Sequence, residues 1–507
     1  MAQQLRRVPA NALVIGYDFS TGGVKALAFD LAGNTVAQVR FPTDLWTEGG
    51  VSELNLMTLE GQARCSTRAL AADLGPRAAD VVACGVSATH HTAGRTDARG
   101  NQVRRAICWN DQTLAQYHTE GLARLGGQDR AKELTGGPWA VRYSLSHLVK
   151  DEHALSAGDW DRTRWVLPHG PLAAGYLTGR FDCTSVSSAA STGIMDLRTN
   201  TWRKEMLNAL ADPKRREQAW NALPAILDMN EPIGALSESV AHDAQWPAGA
   251  RPLVFPTLDD QAAGLIGGGA VDAGQVAIIL GNSAVVNSSS ALLPQSGTLD
   301  AMKLNWGPYL WMRCYSNGAQ FLDAVCGKDW YTHEAAASQV PAGANGTSVL
   351  PFLLSEPSVG VETARVKWFP AEPADRGAKV RACLEALALM LASAVKEHEA
   401  AGQQVSRVTV SGGMARSTLM CQILASALNR PLERLVSDEG TALGAAVVAL
   451  AGVETHLRSK AGDGEAYSAA DAVAALVKFR DRVDPVPAWV PVYATAASAF
   501  EARLKAA

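Results

Sequence analysis

Short apolar runs separated by glycine-containing turns open the chain. Residues 14–18 form a β-type run that ends on a carboxylate, and a turn leads into a second run at 24–30. A further turn at Gly33-Asn34 precedes a third run, 35–39. This close spacing predicts an antiparallel meander. A dinucleotide-binding unit would instead begin with a strand followed by a helix.

Helices and buried strands alternate after the meander. The pattern predicts a helix from about residue 56 to 74, a fully buried strand at 81–87, and helices through much of 114–177. The later runs predict strands at 253–255, 276–280 and 405–410. They also predict a small-residue helix that begins near 260, a helix that ends near 428, and a last small-residue helix that begins near 439. Residues 276–283 loosely repeat the first strand and turn. The alanine-rich segment from Gly462 onward, interrupted by prolines, predicts irregular packing.

Composition places the chain among globular proteins. Its 507 residues suggest two or three domains, and 47% hydrophobic with 19% charged residues exclude a disordered or coiled-coil chain. Lysine and arginine number 46 against 50 acidic residues, a net charge of −4. We therefore expect no general nucleic-acid-binding surface, although a small phosphate pocket is compatible with this balance.

Cysteine usage and hydropathy predict a cytoplasmic protein. The eight cysteines are scattered without a CxxC pair, which is typical of buried small residues in a reducing compartment. No uninterrupted apolar run approaches the ~18 residues that a membrane span needs. Pro9 and Asn11 interrupt any signal-peptide core, so we expect no membrane partner.

Several common catalytic classes lack their motifs. The sequence has no Walker A pattern, no strand followed by GxGxxG, no HExxH and no GxSxG elbow. His90-His91 is a candidate metal pair, but adjacent residues on a strand point to opposite faces, so this pair is not expected to chelate. P-loop, dinucleotide-binding, zincin and serine-hydrolase functions are therefore disfavoured.

Three turns carry candidate chemistry, each with a structural alternative. The turn after Asp18 offers backbone N–H groups and hydroxyls to phosphate, and its carboxylate suits a hydrated metal; ordinary hairpins have similar sequences. Asp259-Asp260 precedes a predicted helix, where acidic residues cap N–H groups or, alternatively, accept a hydroxyl proton. Gly412-Gly413 is either a ligand-binding turn or a plain strand-to-helix turn.

Taken in order, the motifs resemble the FGGY carbohydrate kinases, and among them the xylulokinase-like branch. The similarity covers residues 14 to about 452. The matching segments are 16–25 with "GIDxGTSxVK", 85–92 with "GIxGQMHG", 107–112 with "LWNDxR", 260–264 with "GDNAAG", 280–283 with "LGTS", 411–417 with "GGGARS" and 439–446 with "GxALGAA". The turn 314–318 is similar to an aromatic-x-Asn-Gly turn of some xylulokinases.

The resemblance implies an α/β chain with two domains of the actin-like, ribonuclease-H-like ATPase fold and a central cleft. It implies an N-terminal, sugar-binding domain over residues 1–252, a C-terminal, nucleotide-binding domain over 253–485, and a tail over 486–507. The implied reaction is ATP-dependent phosphorylation of a small sugar's terminal hydroxyl, with Mg²⁺ as cofactor. Sugar and ATP are the implied small-molecule partners, and a homodimer is expected.

The same resemblance assigns roles to individual residues. Asp260 is the implied catalytic base, and Asp18 supports Mg²⁺ through water. The implied sugar-binding residues are His90, His91, Trp109, Asn110, Asp111 and Gln261. The implied nucleotide-binding residues are Thr21, Gly22, Gly281, Asn282, Gly412, Gly413, Met414 and Ser417.

Departures from the family motifs fall mainly on substrate and phosphate contacts. The "SGERTPH" segment is replaced by residues 354–359, "GTS" has become Gly-Asn-Ser, and Gln261 stands where asparagine is common. D-xylulose is the expected substrate, with ribulose, fuculose, erythritol and glycerol as alternatives. A nucleotide switch or a kinase-shaped binding protein without turnover is the alternative from another class.

Overall fold

The computed structural model describes residues 6–296 and 298–506. They divide into two compact units. The first unit holds the chain up to residue 267 together with 301–309 and 441–477. The second unit holds residues 268–300, 310–440 and 478 onward.

The chain as far as residue 267 alternates strands with helices. Its strands are β1 (Leu13–Phe19), β2 (Val24–Asp30), β3 (Thr35–Phe41), β4 (Leu45–Glu48), β5 (Val51–Leu54), β6 (Val81–Ala88), β7 (Ala93–Thr96), β8 (Gln102–Ile107), β9 (Trp165–Pro168), β10 (Cys183–Ser185), β11 (Met195–Asp196), β12 (Thr201–Trp202), β13 (Ala225–Leu227), β14 (Gly234–Ala235), β15 (Leu253–Val254) and β16 (Leu258–Asp259). Its helices are α1 (Leu56–Leu74), α2 (Ala115–Leu125), α3 (Gln128–Thr135), α4 (Ser144–Ala154), α5 (Ala157–Arg162), α6 (His169–Thr178), α7 (Val186–Ala190), α8 (Pro213–Asn221), α9 (Glu238–Asp243) and α10 (Asp260–Gly267).

The rest of the chain continues the alternation. Its strands are β17 (Gln275–Leu280), β18 (Ala284–Ser290), β19 (Asp300–Lys303), β20 (Tyr309–Tyr315), β21 (Ser348–Phe352), β22 (Arg365–Phe369), β23 (Arg407–Ser411), β24 (Leu432–Leu435) and β25 (Phe479–Val483). Its helices are α11 (Ala319–Cys326), α12 (Glu334–Gln339), α13 (Arg376–Ala400), α14 (Thr418–Leu428), α15 (Gly440–Ala461), α16 (Ala469–Leu476) and α17 (Val490–Lys505).

The main sheet of the first unit begins with the predicted meander, which is confirmed. Its strand order is β14-β15-β6-β1-β2-β3, with β16 also paired to β6. β1 is antiparallel to β2 but parallel to β6, and both β15 and β16 run parallel to β6. Strands β1, β6 and β16 therefore end at the same edge of this sheet, whereas β15 ends earlier, opposite Cys84 of β6. A separate five-stranded sheet, β4-β5-β8-β7-β9, lies in the same unit.

The second unit repeats this pairing scheme. β17 is antiparallel to β18 and parallel to β23, as β1 is to β2 and β6. The weak repeat at residues 276–283 thus marks a genuine repeat of topology. The 25-residue helix α13 is buried along much of its length against β18, β21 and α14, and it forms the centre of this unit's apolar core.

Two glycines let α15 lie directly on the first unit's sheet, and a third lets α15 approach α10 closely. A Cβ atom on Gly16 in β1 would overlap the carbonyl oxygen of Ala442, and one on Gly85 in β6 would overlap that of Ala445. A Cβ on Gly444 of α15 would overlap the carbonyl oxygen of Ala263 in α10. Because any side chain would push the helix away, this packing requires glycine on both sides.

The compact units differ from the predicted domain boundaries. Residues 253–267, which were expected in the C-terminal domain, cluster with the first unit because β15 and β16 extend its sheet. Residues 441–477 join the same unit because α15 packs on β1 and β6. The assignment of sugar to one domain and nucleotide to the other stays a prediction.

The prediction of an irregular tail after Gly462 is wrong. α16 begins with a capping box in which Ser468 and Asp471 exchange hydrogen bonds with each other's backbone. Pro491 lies in the first turn of α17, where a missing N–H removes no helical hydrogen bond. The alanines between these signals favour helix, so the prolines mark a boundary rather than irregular structure.

Two smaller expectations also need correction. All eight cysteines are free, but Cys65 is exposed and Cys314 is half-buried, so the expected burial holds only for the other six. α15 is long and apolar enough to cross a membrane by length and composition, although no uninterrupted apolar run was recognised in the sequence. Because 72% of the most apolar 18-residue stretch of α15 is buried inside the protein, packing in the core accounts for the apolar composition of this helix.

We predict that Gly444→Ala destabilises the first unit, because the new methyl group would overlap the backbone of Ala263. Overpacking of this kind costs about 1–3 kcal/mol. Calorimetric unfolding should show a lower Tm for the transition of this unit.

The matched control is Gly440→Ala at the start of the same helix. An added Cβ there meets no atom within 4 Å, and alanine favours helix. The Tm of this variant should equal or exceed that of the wild type. Equal losses in the two variants would contradict the packing argument.

Candidate active site

The carboxyl ends of β1, β6 and β16 bring together residues that are far apart in the sequence. In the parallel register, Asp18 of β1 lies opposite Ser87 of β6, and Asp259 of β16 lies opposite Ala88. The turn that contains His90 and His91 follows β6 directly, and Asp260 follows β16. Parallel strands place such residues at one edge of the sheet, the usual position of sites in α/β folds.

Asp18 is held at this edge by α15. The side chain is 5% exposed, and its Oδ2 atom accepts a hydrogen bond of 2.8 Å from Thr441 Oγ1. Thr441 was not among the predicted site residues. It lies inside the "GxALGAA"-like segment, so the motif contained the signal, but only the packing of α15 on β1 shows its partner.

The two adjacent carboxylates have different surroundings. Asp259 is buried and caps α10, because its Oδ1 accepts from the backbone N–H groups of Gln261 (3.0 Å) and Ala262 (2.9 Å). Its Oδ2 accepts from Ser187 Oγ at 2.5 Å. Asp260 is half-buried, and its Oδ1 accepts from the backbone N–H of His90 at 3.1 Å. Both interpretations of the acidic pair therefore apply. Asp259 caps the helix, and Asp260 has the carboxyl group that could accept a proton.

The surroundings move the two pKa values in opposite directions. Burial raises the pKa of Asp260 to about 7; the carboxylates of Asp259 and Asp18 add to the increase, and His90 opposes it. Burial alone would raise the pKa of Asp259, but the His90 imidazole and hydrogen bonds from Ser187 and Ala262 lower it overall. Asp260 is thus the carboxyl suited to exchange a proton near neutral pH.

His90 and His91 lie in a turn after β6, which corrects the expectation that they point to opposite faces of a strand. His91 has φ = 56°, and this left-handed conformation folds the two rings to a centroid separation of 3.6 Å. His90 Nδ1 lies 3.2 Å from Asp259 Oδ1. His90 therefore faces the acidic residues, and the His91 ring packs against the His90 ring.

His91 is buried, and it donates a hydrogen bond to a backbone carbonyl. Its Nδ1 is 2.9 Å from the carbonyl oxygen of Ser191, and because a carbonyl only accepts, Nδ1 carries the proton. Burial lowers the pKa of His91 well below its ordinary value, with His90 and Arg142 adding to the effect. The neutral ring stacks on Tyr143 at 4.3 Å, and its Nε2 has no hydrogen-bond partner among the described residues.

Trp109, Asn110 and Asp111 follow β8. Because Ala93 pairs with Ile107, His91 and Trp109 each lie two residues beyond the same end of the β7–β8 pairing. Trp109 is 42% exposed, and Asn110 accepts from Ser52 Oγ at 2.8 Å. Asp111 is buried and caps the next turn.

Structural contacts already engage Asp111. Its Oδ1 accepts from the backbone N–H of Thr113 at 2.8 Å, and its Oδ2 lies 3.3 Å from Lys150 Nζ. Gln261 is half-buried in the first turn of α10, directly after Asp260. Sugar binding by these residues stays a prediction.

The predicted nucleotide-binding residues lie on turns in both units. Thr21 and Gly22 form the tip of the β1–β2 hairpin, which Ser20 closes by accepting from the N–H of Gly23 and donating to its carbonyl. In the second unit, Gly281 and Asn282 connect β17 to β18, and Gly412 and Gly413 follow β23.

Close backbone packing joins the two turns of the second unit. Gly412 has φ = 90°, and a Cβ there would overlap the backbone of Leu280. Met414 is buried in the core, so its side chain is not available to a ligand. Ser417 Oγ accepts from the N–H of Met420 and caps α14. Nucleotide binding by these residues stays a prediction.

The altered segment 354–359 supports the turn after β17. Glu356 is buried. Its carboxylate accepts hydrogen bonds from the backbone N–H of Ser316 at 2.6 Å and from Asn317 Nδ2 at 3.1 Å. These bonds fix Gly318, where a Cβ would overlap the backbone of Gly281 and Asn282. The segment lacks the Gly and Arg of the family motif, and its glutamate supports this turn.

Comparison with known proteins identifies the family. Residues 13–267 match the model of the FGGY family of carbohydrate kinases, N-terminal domain, and residues 319–453 match that of the C-terminal domain. The chain belongs to the FGGY family of carbohydrate kinases. The predicted family, two-domain α/β fold and enzyme class are thereby confirmed.

Individual relatives include kinases of different substrates. The xylulose kinase of Escherichia coli K12 is 29% identical over 474 residues, covering 86% of this chain and 89% of the relative. A glycerol kinase of Methylorubrum extorquens is 28% identical over 474 residues, covering 85% of this chain and 88% of the relative. The crystal structure of xylulose kinase from Rhodospirillum rubrum superimposes with a TM-score of 0.84 at 23% identity. The superposition covers 97% of this chain and 98% of the other.

We predict that Asp260 makes folding stability fall as pH rises. Its pKa is raised from 3.8 to about 7 on folding, so the folded state binds the proton more tightly than the unfolded state between these values. Stability from this group is fully present below about pH 4 and is lost as pH rises through about 7. The loss has an upper bound of about 4 kcal/mol, because one pKa unit corresponds to about 1.4 kcal/mol.

Thermal unfolding of wild type and Asp260→Asn, measured in EDTA from pH 5 to 8, tests this. As pH increases from 5 to 8, the Tm of the asparagine variant should rise relative to the Tm of the wild type. A Tm difference that does not change with pH would contradict the raised pKa.

Proposed function

We propose that this carbohydrate kinase transfers the γ-phosphoryl group of ATP to the terminal hydroxyl of a ketopentose such as D-xylulose, giving D-xylulose 5-phosphate. The observation that carries the proposal is the Asp260 carboxyl, half-buried at the ends of parallel strands beside Asp18, with a pKa of about 7. A base of this pKa suits proton removal at neutral pH.

In the proposed reaction, Asp260 orients the sugar hydroxyl and accepts its proton. The hydroxyl oxygen forms a bond to the γ-phosphorus as the bond from this phosphorus to the β–γ bridging oxygen breaks, and ADP leaves. The hydrogen bond from the His90 backbone to Asp260 Oδ1 fixes one carboxyl oxygen. The other oxygen is then available to the substrate.

Asp18 is the proposed Mg²⁺ residue. Its carboxylate is an oxygen donor of the type that Mg²⁺ prefers, and Thr441 fixes its orientation. Burial raises the pKa of Asp260 most, and the nearby carboxylates of Asp259 and Asp18 add to the increase, so a cation suits this edge of the sheet. When bound, the ion would offset negative charge on the phosphates.

The proposed ligand-binding turns provide backbone N–H groups and hydroxyls. Thr21 and Gly22 are proposed to contact phosphate oxygens, as are Gly281 and Asn282. Gly412, Gly413, the Met414 backbone and Ser417 are proposed to border the adenosine. A Cβ on Gly413 would meet no atom within 4 Å, so its surroundings leave room for a ligand.

D-xylulose is favoured by the similarity to xylulose kinases. The proposed sugar contacts are the unpartnered Nε2 of His91, together with His90, Trp109, Asn110, Asp111 and Gln261. An unprotonated imidazole nitrogen accepts a hydrogen bond from a sugar hydroxyl. Glycerol is the second candidate, because a glycerol kinase is 28% identical over a similar length.

We further propose a cytoplasmic setting, which the eight free cysteines support. Sugar and ATP are the proposed partners. The homodimer and the expected lack of nucleic-acid and membrane partners stay predictions.

We predict that Asp260→Asn lowers kcat by about 10²-fold or more while ATP still binds, because asparagine cannot accept the hydroxyl proton. Coupled ADP release measures kcat, and nucleotide titration measures binding.

Asp259→Asn is the matched control. Its amide oxygen still caps α10, so turnover should fall much less and the fold should persist. Loss of turnover in Asp259→Asn with near wild-type activity in Asp260→Asn would show that the base is misassigned. Full activity in both variants would refute the proposed mechanism.

We also predict that Gln261 affects substrate choice. Its side chain is one methylene longer than the family's common asparagine, so we expect a preference for substrates of five carbons or fewer over hexuloses. The test compares kcat/KM for D-xylulose, D-ribulose, erythritol, glycerol and D-fructose in wild type and Gln261→Asn.

A pocket residue should change the ratios between substrates, since a misplaced buried hydrogen bond costs about 1–3 kcal/mol for one substrate more than for another. Parallel changes for all five substrates, or no change, would make Gln261 a structural residue of α10. Glycerol as the best substrate would favour the second candidate.

A further inference from the structure

A nitrogen and two carboxylates converge beside the proposed base. One potential ligand atom from each of His90, Asp259 and Asp260 lies within 4.8 Å of the other two. His90 Nδ1 and Asp259 Oδ1 are 3.2 Å apart. Two ligands that are each about 2.1 Å from a tetrahedral Zn²⁺ lie roughly 3.4 Å apart, so this spacing suits a shared cation.

The His90 imidazole is buried, and its Nδ1 faces a carboxylate. The residue is 5% exposed, and its Nδ1 lies 3.2 Å from Asp259 Oδ1, whereas its Nε2 has no hydrogen-bond partner within the described part of the chain. A buried polar ring usually has partners for its nitrogens, because its desolvation is otherwise uncompensated. A cation between the ring and the carboxylates would interact with both.

Neighbouring groups fix the carboxylates in place. Ser187 donates to Asp259 Oδ2, and the first turn of α10 donates to its Oδ1. The His90 backbone N–H donates to Asp260 Oδ1. Outer hydrogen bonds of this kind orient metal ligands and strengthen binding. The set is thus held in place before any cation arrives.

The donor set distinguishes this cluster from the proposed Mg²⁺ residue. Mg²⁺ prefers oxygen ligands alone, whereas an imidazole with carboxylates suits Zn²⁺ and similar transition metals. Two of the three residues are also departures from the family motifs, since His90 stands at the methionine of "QMHG" and Asp259 at the first glycine of "GDNAAG".

We propose that His90, Asp259 and Asp260 form a binding site for Zn²⁺ or a chemically similar transition-metal cation. Because the cation would engage the Asp260 carboxylate, its binding blocks proton removal and inhibits the kinase. The inhibition rests on the proposed function, whereas the binding does not.

Cobalt absorption tests the binding directly. Co²⁺ titrated into the full chain without nucleotide should give a saturable visible band at one equivalent, which Zn²⁺ displaces. His90→Met, which lacks the nitrogen ligand, should weaken Co²⁺ binding by at least about tenfold. Asp260→Asn should do the same, and it serves as the second variant if His90→Met does not fold.

His169→Met is the matched control. His169 is as deeply buried, and both its ring nitrogens lack partners, but it makes no ion pair among the described residues. This variant should bind Co²⁺ like the wild type. No saturable site in the wild type, or unchanged binding in both His90→Met and Asp260→Asn, would overturn the proposal.

The activity test separates the two proposals. With free Zn²⁺ set by a metal buffer under saturating Mg-ATP, wild type should be inhibited, and His90→Met should require at least about tenfold more Zn²⁺ relative to its own basal rate. Binding without inhibition of an active kinase would refute the inhibitory role. Binding to a chain that phosphorylates none of the substrates tested would refute the proposed function and leave the cation site standing.

Discussion

The close approach of α15 to the first unit's sheet determines the geometry of the candidate site. Gly16 of β1 and Gly85 of β6 admit the helix backbone, and Gly444 admits the backbone of α10. This packing brings Thr441 within hydrogen-bonding distance of Asp18. A residue more than 400 positions away in the sequence thus orients the first carboxylate, because three side chains are absent where the backbones meet.

The adjacent carboxylates show how local structure separates two identical side chains. Asp259 precedes α10 and satisfies its first N–H groups, which stabilises the ionised form. Asp260, one residue later, accepts a hydrogen bond from the His90 backbone N–H and lies near two other carboxylates. Its raised pKa follows from burial and from this crowding. Asp259 therefore caps the helix, and Asp260 keeps a carboxyl group suited to proton exchange.

The second unit uses the same strand pairing for a different set of turns. Parallel β17 and β23 place the turns of Gly281 and Gly412 side by side. Gly318 packs against the first turn and is held there by Asn317 and Glu356. The altered segment 354–359 therefore retains a structural function, although its sequence differs from the family motif. Departures of this kind are best judged by contacts rather than by motif similarity.

The sequence by itself determined the opening meander, the buried strands, α1, the acidic pair at the start of α10 and the family, because these follow from local periodicity and from short motifs in order. The tertiary structure alone decided which acidic residue caps the helix, that the His90-His91 turn faces the acidic pair, and that residues 441–477 return to the first unit. Only the tertiary structure identified Thr441 and Ser187 as hydrogen-bond donors to Asp18 and Asp259. These outcomes depend on long-range backbone packing and on left-handed φ at His91, and neither leaves a periodic signal in the chain.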